Sequence, residues 1–114
     1  MKADKATAEH YTWGHGYDGW RLVDGPELSV ILERMPPGAS EERHYHGSAR
    51  QFFFVLKGSA TIEAGYETVV LGPQEGLEVA PGLAHRIFNR SHEDLEFVVY
   101  SNPSTRGDRH LSEP

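Results

Sequence analysis

Three of the seven histidines are spaced for metal chemistry: His44 and His46 flank Tyr45, and His85 follows in Ala84-His85-Arg86-Ile87-Phe88-Asn89. On a strand, the i, i+2 spacing puts both imidazoles of the pair on one face, with Cα atoms about 6.5 Å apart. That is near enough for both to reach one ion roughly 2.1 Å from each nitrogen. On a helix the same two side chains would diverge. A third histidine from a neighbouring strand would complete a facial arrangement with positions left open for water or substrate, the requirement for metal catalysis. An isolated His-x-His also occurs as two surface imidazoles, and spacing alone does not separate the two readings. Cysteine is absent, which excludes disulfides, thiolate zinc sites and a cysteine nucleophile. A metal here must sit on histidine or oxygen ligands.

Such a cluster needs strands to hold it. Twelve glycines and seven prolines cut the chain into short segments, with no gap long enough for a series of amphipathic helices. Strands are expected over 19–23, 28–35, 50–56, 60–63, 67–71, 77–80, 85–89 and 95–101. Pro36-Pro37-Gly38, Ala64-Gly65, Gly72-Pro73 and Pro81-Gly82 supply the fixed or positive φ values that the connections need. Only residues 5–12 are suited to a short helix. Alternation through Gln51-Phe52-Phe53-Phe54-Val55-Leu56 puts Gln51, Phe53 and Val55 on one face and Phe52, Phe54 and Leu56 on the other. A strand apolar on both sides is expected to be covered twice, by a facing sheet and by a subunit or extra strand outside. The expectation is a closed or double-sheet all-β architecture in a homodimer.

At 114 residues and 12.8 kDa the chain is sized for one domain, with an N-terminal arm (1–20) and a C-terminal tail (107–114) expected at the periphery. A formal charge of −6 opposes attraction to nucleic acid or to an anionic membrane. There is no signal-like apolar stretch near the start and no 18-residue apolar run. These features favour a cytoplasmic protein whose partner is a small molecule. An acidic ligand stays open, because one or two local arginines can outweigh the global charge inside a pocket.

Around the histidines runs the frame Gly38-x5-His44-x-His46-x4-Gln51-x6-Gly58, followed by Gly82-x2-His85-x3-Asn89. This frame resembles the two motifs of the cupin family. It matches the first at every fixed position except Gln51, where glutamate is usual. In the second motif Gly82, His85 and Asn89 align, while Ala80 and Gln74 stand in the places of a proline and a glycine. The motifs and their hairpins span about residues 28–101. The resemblance implies a single-domain double-stranded β-helix, or jelly-roll barrel, with one divalent metal ion held by His44, His46, Gln51 and His85. Three imidazoles and an oxygen accept Zn, Fe, Ni, Mn or Co.

Cupins include isomerases, lyases, dioxygenases, decarboxylases and non-enzymatic binders. A carboxylate ligand would lower a divalent centre to +1, whereas imidazoles and an amide leave the full +2, a stronger Lewis acid. That favours polarising a carbonyl or stabilising an enolate, as isomerases, tautomerases and some lyases require. The other readings are a non-haem iron dioxygenase and a non-catalytic small-molecule binder. Small cupins that ketonise 4,5-unsaturated uronates are similar in their H-x-H-x4-Q ligands. Their substrate arginine lies 21 residues after the last metal histidine, where this chain has Arg106. Where they carry an Asp and a Phe, this chain carries Tyr100 and Asn102. Arg106 and Tyr100, at the end of the last strand, are the candidate catalytic residues; the other readings are a solvated or interface charge for Arg106 and a buried phenol with a satisfied hydroxyl for Tyr100. Glu33 and Glu78 either line a mouth or face solvent, which parity alone does not settle. Phe53 is expected to pack beside the metal, and Arg43, Arg50, Arg86 and Arg90 to be surface or interface charges.

Overall fold

Phe97, Val55, Ile62, Met35 and Leu95 have no exposed surface, and each comes from one of two facing antiparallel sheets or their edges. The computed structural model describes residues 1–112, and its described residues contain eleven strands and no helix. In chain order these are β1 Glu9–Trp13, β2 Tyr17–Asp24, β3 Ser29–Met35, β4 His44–His46, β5 Arg50–Lys57, β6 Ala60–Ala64, β7 Glu67–Leu71, β8 Gly76–Val79, β9 His85–Phe88, β10 Leu95–Asn102 and β11 Arg109–Leu111. One sheet has the order β1-β2-β3-β10-β5-β8 and the other β11-β4-β9-β6-β7. No described helix is long and apolar enough to cross a membrane.

The alternation read from the sequence is realised in β5: Gln51, Phe53 and Val55 are buried, and Phe52 and Leu56 are 39% and 47% exposed in the single chain. Register is fixed because a one-residue slip would carry Phe53 and Val55 out of the core. Truncating a fully buried ring such as Phe97 to alanine removes about 3–5 kcal/mol of stability. The β5–β6 turn depends on Gly58. Its φ is +86°, and a Cβ there would lie 2.6 Å from the Asp94 carbonyl oxygen, so only glycine fits.

One expectation is corrected. Residues 5–12 do not form a helix: Lys5–Thr7 make a turn closed by the Ala8 N–H on the Asp4 carbonyl at 2.9 Å. The chain then enters β1, which pairs with β2. Packing of Tyr11 and Trp13 against the core outweighs local helical preference. Each end of the chain supplies an edge strand. The β1–β2 hairpin forms an edge of the first sheet, and β11 pairs with β4, the strand of His44 and His46. There His110 stacks on Tyr45 with centroids 5.0 Å apart.

Candidate metal centre

β4 carries His44 and His46 inward, both 5% exposed, and its antiparallel neighbour β9 sets His85 opposite His44. The ligand-capable ring atoms of the three all lie within 4.8 Å of one another. Each ring is held by its rear nitrogen. Nδ1 of His44 donates to the Glu42 carbonyl at 2.9 Å, Nδ1 of His46 to the Asp108 carbonyl at 3.1 Å, and Nδ1 of His85 to the Leu83 carbonyl at 2.9 Å. A carbonyl can only accept, so each bond puts the proton on Nδ1 and leaves an Nε2 lone pair for the cluster. Desolvation lowers the pKa of all three, to about 3 for His44 and about 4 for His85. The rings are neutral at physiological pH.

Gln51 reaches the same cavity from β5 of the other sheet. Its Nε2 donates to Ser101 Oγ at 3.1 Å. Its Oε1 is buried with no hydrogen-bond partner, as is Nε2 of His85. Buried acceptors without donors are costly, about 1–3 kcal/mol each, and a cation satisfies both at once. Three neutral imidazoles and an amide oxygen suit a borderline divalent ion, so the residues present fit the metal that the motif implies.

The cavity beside this cluster is about 520 Å³. Phe53, Ile87 and Val99 give it apolar walls, and Glu33, Glu41, Tyr11, Arg21 and Arg109 give it polar ones. It is a side-chain-lined cavity of the β sandwich, and the β1–β2 hairpin contributes Tyr11, Trp13 and Arg21 to its lining.

Residues 31–101 match the cupin domain family. The chain belongs to the cupin family. Among curated proteins it is 32% identical over 69 residues to the tetracenomycin polyketide synthase protein TcmJ of Streptomyces glaucescens. That match covers 60% of this chain and 46% of TcmJ, so it spans less than half of the relative's length. Among solved structures, KdgF from a Halomonas species superposes with a TM-score of 0.85 at 16% identity, over 94% of this chain and 98% of KdgF. A sugar phosphate isomerase of the cupin superfamily from Silicibacter pomeroyi superposes at 0.79 with 21% identity, covering 91% of this chain and 76% of its own. At these identities the likeness is one of fold.

The cupin fold brings His44, His46, His85 and Gln51 together and separates the two candidate catalytic residues from each other. Tyr100 is 43% exposed on the outer face of β10, its ring 6.3 Å from that of Phe52. It is turned away from the cavity, so the expectation that it serves the metal site as a proton donor is corrected. The reason is parity: Val99 and Ser101 on either side face inward, as the cavity lining shows. Arg106 does line the cavity, but its guanidinium donates to Asp24 Oδ2 at 2.7 Å. Glu78 faces solvent, paired with Arg50 at 2.6 Å.

Sequence reasoning missed Asp108 and Glu41. The Asp108 carboxylate accepts from the backbone N–H groups of Gly47, Ser48 and Ala49 at 2.9, 2.9 and 3.1 Å. Those bonds hold its pKa below the usual carboxylate value. The loop after His46 is thereby tied to the residue whose carbonyl orients His46. Glu41, half-buried in the segment between β3 and β4, accepts from the Ile87 N–H at 3.1 Å.

Proposed function

We propose that this cupin is a metal-dependent isomerase, tautomerase or lyase acting on a small oxygenated metabolite, and that it works as a homodimer. The observation that supports the reading most directly is the pair of unsatisfied buried acceptors, Gln51 Oε1 and His85 Nε2, beside two further histidines whose Nδ1 atoms are fixed on carbonyls. A divalent ion bound there supplies Lewis acidity toward a carbonyl or hydroxyl oxygen.

The protein's own groups do the rest. His44, His46 and His85 present lone pairs without needing to lose a proton. Ser101 holds the Gln51 amide so that its oxygen, not its NH2, faces the cluster. Phe53, Ile87 and Val99 exclude water from one side of the cavity, which strengthens every polar contact made inside it. Arg106 can meet an anionic group only by exchanging its bond to Asp24, so the uronate version of the reading requires that exchange. The homodimer rests on the apolar outer face of the first sheet, where Phe52, Leu56 and Tyr100 stand 39–47% exposed.

The test is incubation of metal-reconstituted protein with 4,5-unsaturated uronates and with small aldose and ketose phosphates. Isomerisation or loss of the enol-ether absorbance faster than in buffer, abolished by a chelator, is the expected result. Ferrous-dependent oxygen uptake with no substrate isomerisation would overturn it in favour of a dioxygenase.

A further inference from the structure

Of the three glutamates that line the cavity, Glu33 and Glu41 have no ion-pair partner among the described residues, and Arg21 and Arg109 act on them only from longer range. Glu33 shares the inward face of β3 with Ile31 and Met35, which are 8% and 0% exposed, and Glu41 lines the same space. Among the described residues, neither carboxylate has a Lys, Arg or His nitrogen within 4.0 Å. Two of the three arginines that line the cavity are engaged elsewhere, and Arg109 lies beyond 4.0 Å from either carboxylate. Arg21 lies 2.9 Å from Glu9 and stacks over the Tyr11 ring at 4.4 Å, while Arg106 holds Asp24. An ionised carboxylate removed from water without a counter-ion is costly, and two in one cavity also repel.

Burial pushes both groups up to about 8, and the Glu33 charge is the second contribution for Glu41. At neutral pH the pair therefore retains protons that ordinary glutamates would have lost. The other titratable or charged groups that line the space are Tyr11 on β1, His15 in the β1–β2 turn, Arg21 on β2, Glu42 before β4, the neutral His44 and His46 on β4, Arg106, and Arg109 on β11, with Gln51 and Ser101 uncharged. β9 offers Ile87 and β5 offers Phe53, neither of which titrates. His44, His46 and His85 cannot carry the proton themselves, since their N–H groups are committed to backbone carbonyls.

We propose that Glu33 and Glu41 are the acid/base pair of this cavity and that its substrate is a small enolisable hydroxycarbonyl compound. The inference rests on the isomerase reading above. Glu41 accepts a backbone N–H at 3.1 Å and Glu33 the Tyr11 hydroxyl at 3.4 Å, so each carboxyl has one donor. The Glu33 charge disfavours ionisation of Glu41, so Glu33 is the carboxylate of the pair and Glu41 the acid. In the ketonising direction the Glu41 O–H bond breaks and its proton joins the enol carbon, the C=C electron pair forming the new C–H bond. The enol O–H bond breaks, its electrons complete the carbonyl, and the Glu33 carboxylate takes that proton. One proton enters the pair as one leaves, nothing is oxidised or reduced, and exchange with water restores the starting state.

Two measurements on the full-length protein test this. The first follows the glutamate side-chain carbons of metal-free wild type by NMR through a pH titration, with Glu33→Gln and Glu41→Gln giving the assignments. Two carboxyls titrating well above the ordinary range, with the second moving down when Glu33 is replaced, are expected. Ordinary titration of both overturns the proposal. The second follows deuterium wash-in from D2O into dihydroxyacetone by the metal-loaded protein. Each Gln variant should lose about 10²–10⁴-fold in rate with metal content and far-UV spectrum unchanged, and Glu33→Asp should recover part of it. Wash-in by the wild type that is equally fast in both Gln variants overturns the acid/base pair alone. Metal-loaded wild type that washes in no deuterium overturns the isomerase reading and this inference with it.

Discussion

Gln51 and Ser101 are direct cross-strand partners in the β5–β10 ladder, and the Gln51 amide nitrogen donates to the Ser101 hydroxyl at 3.1 Å. Both side chains are buried, at 7% and 2% exposure. An amide has two chemically opposite ends, and this bond decides which one meets the histidines. A serine on one strand thus sets the ligand atom offered by another.

Replacing Ser101 by alanine is therefore expected to weaken metal binding without removing any ligand. Loss of an outer hydrogen bond of this kind costs about 10–100-fold in metal affinity, and competition titration against a coloured chelator measures it. Gln51→Glu should keep the metal but reduce isomerase turnover, because the carboxylate neutralises part of the ion's charge. Equal or higher turnover in Gln51→Glu would remove support for the charge argument.

His44→Ala tests the ligand set itself. The side chain is 5% exposed and its Nδ1 bond is to a neighbouring carbonyl, so the fold is expected to persist while occupancy drops. In wild type, a divalent ion at a hundred times its Kd adds about 2.7 kcal/mol, which raises Tm by about 10 °C in a domain of this size. Differential scanning calorimetry should show that rise with zinc in wild type and none in His44→Ala.

The metal-free protein should have a two-sided pH dependence with separable arms. The histidines have folded pKa values depressed from 6.5 to about 3 for His44 and about 4 for His85. Their stability contribution is present above about pH 6.5, the unfolded value, and is lost as pH falls through the folded ones. Glu33 and Glu41 are raised from 4.5 to about 8, so their contribution is present below pH 4.5 and is lost as pH rises through about 8. The slopes oppose one another between these unfolded values and leave a plateau there, with Tm falling on either side. Glu33→Gln should flatten the alkaline arm and leave the acid arm in place, as thermal melts across pH 3–9 would show.

Much of the centre was legible because a strand has a period of two. His44 and His46 follow that rule, as does the inward row Gln51, Phe53 and Val55. The same rule was available for Tyr100, since Val99 and Ser101 flank it and face inward, and it turns that side chain outward. Glu33 was harder. Its surroundings depend on Tyr11 and Arg21, which β1 and β2 set beside it in the same sheet, and β1 exists only through pairing with β2 and packing of Tyr11 and Trp13. Asp108 carries no local signal, because its partners Gly47, Ser48 and Ala49 lie some 60 residues away in sequence and only the β4–β11 pairing brings them together.

Asp108→Asn should expose that long-range tie. One carboxylate oxygen becomes an NH2 group facing backbone donors, so the loop after His46 loosens and the carbonyl that orients His46 shifts with it. The expected outcome is a lower Tm together with weaker metal binding, read by calorimetry and chelator competition. An unchanged metal affinity at lowered Tm would mean that the tie stabilises the loop without orienting the ligand.

The outer face of the first sheet gives the last prediction. Phe52, Leu56 and Tyr100, with Leu28 and Val23 beyond them, are each 39–47% exposed, and a shallow cavity of about 340 Å³ lies over Phe52, Tyr100 and Leu28. Arg50 and Glu78 edge it as an exposed ion pair at 2.6 Å. An apolar centre with a charged rim is the anatomy of a protein interface, and contiguous exposed apolar surface on a small soluble domain marks an association site. Wild type should sediment as a dimer at micromolar concentration. Phe52→Glu and Tyr100→Glu should each sediment as monomers, because the introduced carboxylate would have to be buried without a partner. Both variants should bind zinc as tightly as wild type, since these side chains point away from His44, His46 and His85. A wild-type protein that sediments as a monomer would leave the homodimer without support, and a loss of zinc binding in the variants would show that the two faces of β5 and β10 are coupled.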